Sequence, residues 1–201
     1  MNIVLYTVPT IEPIDLMALK GHLRIELDQT AEDETLEGWI QTAREHVETI
    51  TRRQLLTATW DLSLDEFPDK DFIVLPFGNL QDVAPTQYVK YKDSDETVTT
   101  MTVNTDYIWE TNGDGFGRIV LPYGDPWPSF TPWPSNPISI RFVCGWTSAA
   151  LVPSKIKSAI KLICGDLYEN REATLTQAQG NIMDNKTVDR LLWPCRLWGA
   201  F

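Results

Sequence analysis

Only two histidines and three cysteines occur in 201 residues, and basic residues are outnumbered by acids. Each shortage excludes something. His22 and His46 each fall inside a helical pattern without a second ligand residue at the i+4 spacing that a helical metal site uses. Cys144, Cys164 and Cys195 are too widely spaced for a zinc ribbon and too few for a disulfide framework. With 17 Lys and Arg against 28 Asp and Glu, the net charge is -11. Such a chain repels phosphate backbones, so sequence-independent nucleic-acid binding is excluded. The excess acid reads first as solubility, and more sharply as a surface that lets nucleic acid pass without holding it. No run is apolar enough to cross a bilayer, so no membrane contact is expected. The start, "MNIVLYTVPTIEP", lacks the basic region and small-residue cleavage site of a signal peptide, which leads us to expect synthesis and use in a cytoplasm.

Catalytic signatures are missing too. There is no G-x-S-x-G, no P-loop lysine motif and no dinucleotide fingerprint. "GDGFG" within "TNGDGFGR" lies between two strand patterns and leads into no helix that could hold a phosphate, so it reads as a hairpin turn. Strand-end acids, Asp65 or Glu66 with Glu110 or Asp114, could be imagined as a glycosidase pair, but nothing in the spacing sets two of them across a cleft. We therefore expect no enzyme, no cofactor and no metal.

What is present is strong periodicity. In "PIDLMALKGHLRI", Asp15 can cap a helix whose Leu16, Leu19 and Leu23 form one stripe. Leu36, Ile40, Ala43, Val47 and Ile50 predict a second helix, with Glu32, Asp33 and Glu34 in its first turn and Arg52 and Arg53 in its last, as the helix dipole favours. From Thr57 the period changes to alternation: Ala58, Trp60, Leu62 and Leu64 share one face of a strand. Strands are also predicted at "FIVLPF", "TQYVKYKD", "TVTTMTV", "DYIWE", "GRIVLP" and "PISIRFVCGW", joined by turns such as "DSDE". Between the last two, "PYGDPWPSFTPWPSNP" is too rich in proline for helix or ladder. Its tryptophans suit closure of one end of the sheet or a subunit contact better than a sugar platform.

Helical sequence returns after Pro153, with Ile156, Ile160, Ile163 and Leu167 as its stripe and Cys164 on the buried side. A polar stretch then leads to "TVDRLLWPCRLW", where Pro194 limits any helix. The expected fold is α+β: an α-helical bundle formed by the N- and C-terminal helices with an inserted antiparallel β domain. Its parts are 1–56, the N-terminal helices; 57–146, the β-rich insert; and 147–201, the C-terminal helices with an apolar tail. Residues 172–186 have too few large apolar side chains to offset their ordering entropy, so this leash is expected to become fixed only among neighbours.

Several segments, in order, carry a resemblance. "LMALKGHLRIE", "TRRQLLTATWDL", "RFVCGW", "VPSKIKSAIKLICGDLYENRE" and "LLWPCRLW" are similar to the head-tail connector, or adaptor, proteins of long-tailed bacteriophages. The resemblance implies a non-enzymatic virion protein in the neck between capsid and tail, assembled in the host cytoplasm. Its copies would form a ring, usually of twelve, between the portal protein and a tail or stopper/terminator protein, with DNA passing through the lumen unbound. Other readings are a completion or terminator protein, and more remotely a carbohydrate-active enzyme. Trp193, Leu197, Trp198 and Phe201 are the expected partner-anchoring residues, because large aromatics dominate interfaces. Glu169 and Arg171 are expected at a subunit-contact edge. Lys20, His22 and Arg24 read as solvated faces and packing of the first helix, His22 above all.

Overall fold

The computed structural model describes residues 1–81, 87–171 and 186–199. They divide into a sheet unit, built from residues 1–10, 57–145 and the chain end from 199, and a helical unit of residues 11–56 and 146–198.

In the helical unit, Asp15 caps α1 (Leu16–Leu23), its Oδ1 accepting from the Ala18 N–H at 2.6 Å. Arg24, in the left-handed conformation, ends the helix. α2 (Asp33–Thr51) buries Leu36, Ile40, Ala43 and Val47, one continuous stripe. Its last turn contains no basic residue, because Arg52 is already the left-handed C-cap. α3 (Ser154–Glu169) begins directly after Pro153 and buries Ile156, Ala159, Ile160 and Cys164. Its buried face is therefore turned slightly from the expected stripe, leaving Ile163 and Leu167 half-covered. α4 (Lys186–Leu192) contributes Val188 and Leu192 to the same core, and a single 3-10 turn, Trp193–Cys195, follows with Pro194 inside it.

Charge is buried in this unit as well. Lys20 is 3% exposed, with its ammonium on the Asp33 carboxylate and donating to the Gln29 carbonyl at 2.8 Å. Of the solvated faces and packing expected of the first helix, Lys20 belongs to the packing: its side chain turns inward to satisfy the loop between α1 and α2. His22 and Arg24 are exposed. Arg44, 6% exposed, is held by Glu12 and Glu48, each at 2.9 Å. Burial pushes the Glu48 carboxyl upward, opposed by the Leu55 N–H and by Arg44.

The sheet unit starts earlier in the chain than periodicity suggested. Residues 1–56 were expected to be helical, yet β1 (Asn2–Thr7) pairs antiparallel with β2 (Ala58–Leu64). The run Ile3, Val4, Leu5 lacks strict alternation because the strand lies at a sheet edge, open on one side. β2 pairs in turn with β8 (Ile138–Cys144), Leu62 opposite Ile140. β4 (Tyr88–Lys92) and β5 (Val98–Thr100) complete a five-stranded sheet of order β1-β2-β8-β4-β5. A second sheet of order β3-β7-β6 comprises β3 (Phe72–Gly78), β7 (Phe116–Val120) and β6 (Ile108–Glu110).

One core joins the two sheets: Leu62, Val89, Ile138, Ile140 and Phe142 from the first meet Ile73, Leu75 and Ile119 from the second. Gly117 permits the approach, since a Cβ there would stand 2.5 Å from Leu80. Asn112 and Gly113, both at positive φ, turn the β6–β7 hairpin. On the opposite face of the five-stranded sheet, Arg141 makes two 2.7 Å bonds to Asp61 and stacks 3.4 Å from the Tyr6 ring.

The two ends of the long insert meet at the helical unit, where Leu56 bridges Trp146 and the Trp146 N–H donates to the Leu55 carbonyl. A chain of residues 11–56 linked through two or three glycines to 146–201 is therefore expected to keep cooperative thermal melting and helical circular dichroism. Complete unfolding would show that the units cannot be separated. Lys20→Met removes one partner of a buried pair and is expected to cost about 3 kcal/mol, read as a lowered urea midpoint at unchanged m-value.

Candidate assembly surfaces

At the end of α2, a run of contacts locks the residues after the helix, and two of them fix the path of the C-terminal segment. The Glu48 carboxylate accepts from the Leu55 N–H at 3.0 Å and from Gln54 Nε2 at 2.7 Å. The Thr51 carbonyl accepts from the Leu197 N–H at 2.9 Å. Arg53 Nε donates to the Cys195 carbonyl at 2.6 Å, and its guanidinium lies 6.0 Å from the Trp146 ring centre. "TRRQL" and "LLWPCRLW" are therefore one joint.

This joint displays aromatic surface. Trp193 and Trp198 are 61% and 63% exposed, and their rings meet edge to face at 4.8 Å. Arg196 stands 5.2 Å from the Trp198 ring. Leu197 points the other way and is buried, so it supports the hook from beneath and offers nothing to a partner. A backbone with Trp193 and Trp198 outside must put an intervening residue inside, and Leu197 is the apolar one available.

Of the other expected contact residues, Glu169 is exposed. Arg171 is engaged within its own unit: its guanidinium grips both oxygens of Glu32, at 2.8 Å to Oε2, and lies 4.8 Å from the Tyr168 ring. That bond raises the arginine's pKa and lowers that of Glu32. Phe201 and the leash up to residue 185 lie outside the described residues. Arg53, which holds the tail, was missed as a functional residue; its signal was two adjacent arginines just past a helix that had no need of both.

Other groups singled out in the sequence have partners in the same unit. Asp65 pairs with the amino terminus at 3.5 Å, while Glu110 is held by Arg118 at 2.7 Å on the other sheet. Trp127 stacks flat on Phe67 at 4.8 Å and donates to the Lys70 carbonyl, and Trp133 is capped by Lys92 at 3.7 Å. The Pro/Trp loop thus packs on its own sheet unit. Among the described residues no group of three His, Cys, Asp or Glu side chains is placed to hold a metal.

Burial pushes the Cys164 thiol up to about 12, whereas Cys195 is half-exposed. Iodoacetamide at neutral pH is expected to alkylate Cys195 in the folded protein and leave Cys164 untouched until denaturant is added, as peptide mass spectrometry would record.

Comparison with known proteins agrees with this picture. No curated protein matches the sequence significantly. Among solved structures, the fold corresponds over 100% of this chain and 98% of the other to a chain from the neck of an empty gene transfer agent particle solved with C6 symmetry, at TM-score 0.79 and 20% identity. A chain from the native gene transfer agent virion gives 0.76 at 20% identity, and one from the native particle's neck solved with C12 symmetry gives 0.72 at 18%. The profile of the phage gp6-like head-tail connector proteins matches residues 13–107, from just before α1 to the residue preceding β6. Over that stretch, just under half of its length, the chain is similar to the phage gp6-like head-tail connector proteins.

Proposed function

We propose that the protein is a non-enzymatic structural component of a virion neck. Its copies form a homo-oligomeric ring, of twelve subunits, between the portal protein and a tail or stopper/terminator protein, extending the DNA channel. The observation that carries this reading is the family match, supported by the end-to-end likeness of fold to chains from particle necks. The helical unit acts in this scheme as a bundle that presents the Trp193 and Trp198 hook to the portal, and the sheet unit supplies lateral contacts. The acidic balance suits a lumen through which a polyanion must slide. A completion or terminator role would place the same chain against the tail tube alone.

Electron microscopy of the purified protein mixed with portal rings tests the proposal. Added rings of this chain stacked on the portal are expected; binding to tail tubes and never to portals would move the chain to the alternative role. The hook makes a sharper prediction. Joint replacement Trp193→Ala and Trp198→Ala should leave the melting temperature near that of the parent while weakening portal binding by at least about 30-fold, the scale of one hot-spot aromatic. Leu197→Ala should do the reverse, lowering stability by about 2 kcal/mol or more. Equal effects of both variants on melting would remove the hook from the interface.

A further inference from the structure

The strand order leaves β1 and β5 each with a single partner, and among the described residues no other strand pairs with either. Open edges are templates for further pairing, and soluble proteins commonly blunt them with charge or proline. Neither safeguard is present within these two strands. Apart from the amino terminus, which Asp65 pairs, no charged group occurs from Met1 to Ile11, although 22% of the chain is charged. In and just after β1, Val4, Tyr6 and Val8 are 54%, 60% and 62% exposed. A register shift between Leu5 and Thr7 interrupts the pairing to β2, leaving Asn2 to Leu5 as a regular stretch. At the other edge, Thr97 to Thr105 carries no charge either, and all three residues of β5 are exposed.

We infer that the five-stranded sheet continues from one copy of the chain into the next, the open edge of β1 pairing with the open edge of β5 on the neighbouring copy. The inference rests on the proposed ring and names its lateral contact. Every neighbouring pair within the sheet is antiparallel, so β1 and β5 point the same way. Copies related by rotation present these two different edges to each other. Such a heterologous contact repeats from subunit to subunit and closes a ring, whereas β1 against β1 would be twofold and stop at a pair. Main-chain hydrogen bonds supply the attraction. The uncharged flanks keep two subunits of net charge -11 from repelling each other where they touch.

Two full-length variants test it: Val4→Lys with Tyr6→Lys on the β1 edge, and Val98→Lys with Thr100→Lys on the β5 edge. Mass photometry would follow assembly of each with and without portal rings, after circular dichroism has shown native melting. Each variant alone is expected to stay monomeric under conditions where the parent forms rings. Mixed together they should form a heterodimer and no more, because one retains an intact β5 edge and the other an intact β1 edge. Dimers of the β5-edge variant alone would establish twofold β1 pairing and overturn the inference. So would normal rings from both variants, with the ring itself left standing, or normal rings of the β1-edge variant that no longer bind the portal. A parent chain that forms no ring even on portals would refute the functional proposal and this contact together. If a variant fails to fold, hydrogen exchange on the parent decides: residues 2–5 and 98–100 should gain at least tenfold protection on assembly, and unchanged exchange at both edges would dismiss the pairing.

Discussion

The segment from Thr51 to Leu56 is the constraint on which the helical unit turns. In six residues it accepts the backbone of Leu197, holds the carbonyl of Cys195, receives the N–H of Trp146 and is itself locked by the Glu48 carboxylate. Departure of the chain into the long insert, its return and the placement of its last helix are all decided there. Glu48 can serve only because Arg44 stays close to it, and Arg44 can be buried only because Glu12 joins from the other side. A helix end with these obligations cannot be capped and forgotten. It needs side chains beyond the last turn, which accounts for Arg53 and Gln54 after it.

Seen from the sequence, the elements with long, clean periods were the legible ones. α2 and α3 announce themselves by apolar stripes, and β2 and β8 by alternation. The hairpin turn at Asn112 and Gly113 is written in its residue types. Legibility failed where a residue's fate depends on a distant partner. Lys20 has the spacing of a solvated face, and only the arrival of Asp33 and the Gln29 carbonyl makes burial tolerable. β1 was obscured differently: its side chains need not alternate at an edge, so the strand leaves almost no periodic trace. Arg171 read as a contact residue because it is charged and just past the end of α3, and Glu32, 139 positions earlier, is invisible to any local pattern.

The hook shows the same division between local and distant information. Pro194 and the flanking tryptophans were enough to suggest an apolar terminus that is not a plain helix. Which of its residues face outward was not encoded there, since Trp193, Leu197 and Trp198 are equally apolar. The bond from Arg53 to the Cys195 carbonyl and that from the Leu197 N–H to Thr51 set the rotation of the segment. That rotation makes a surface pair of the two indoles and a core residue of the leucine.

Charge follows an economy of its own. Lys20, Arg44, Arg118, Arg141 and Arg171 are all tied to carboxylates within their own units. Each such pair neutralises one charge of either sign locally, so the total of -11 is unchanged. Internal pairing therefore does two things at once. It satisfies the buried cations Lys20 and Arg44, and it holds Arg118, Arg141 and Arg171 to carboxylates beside them.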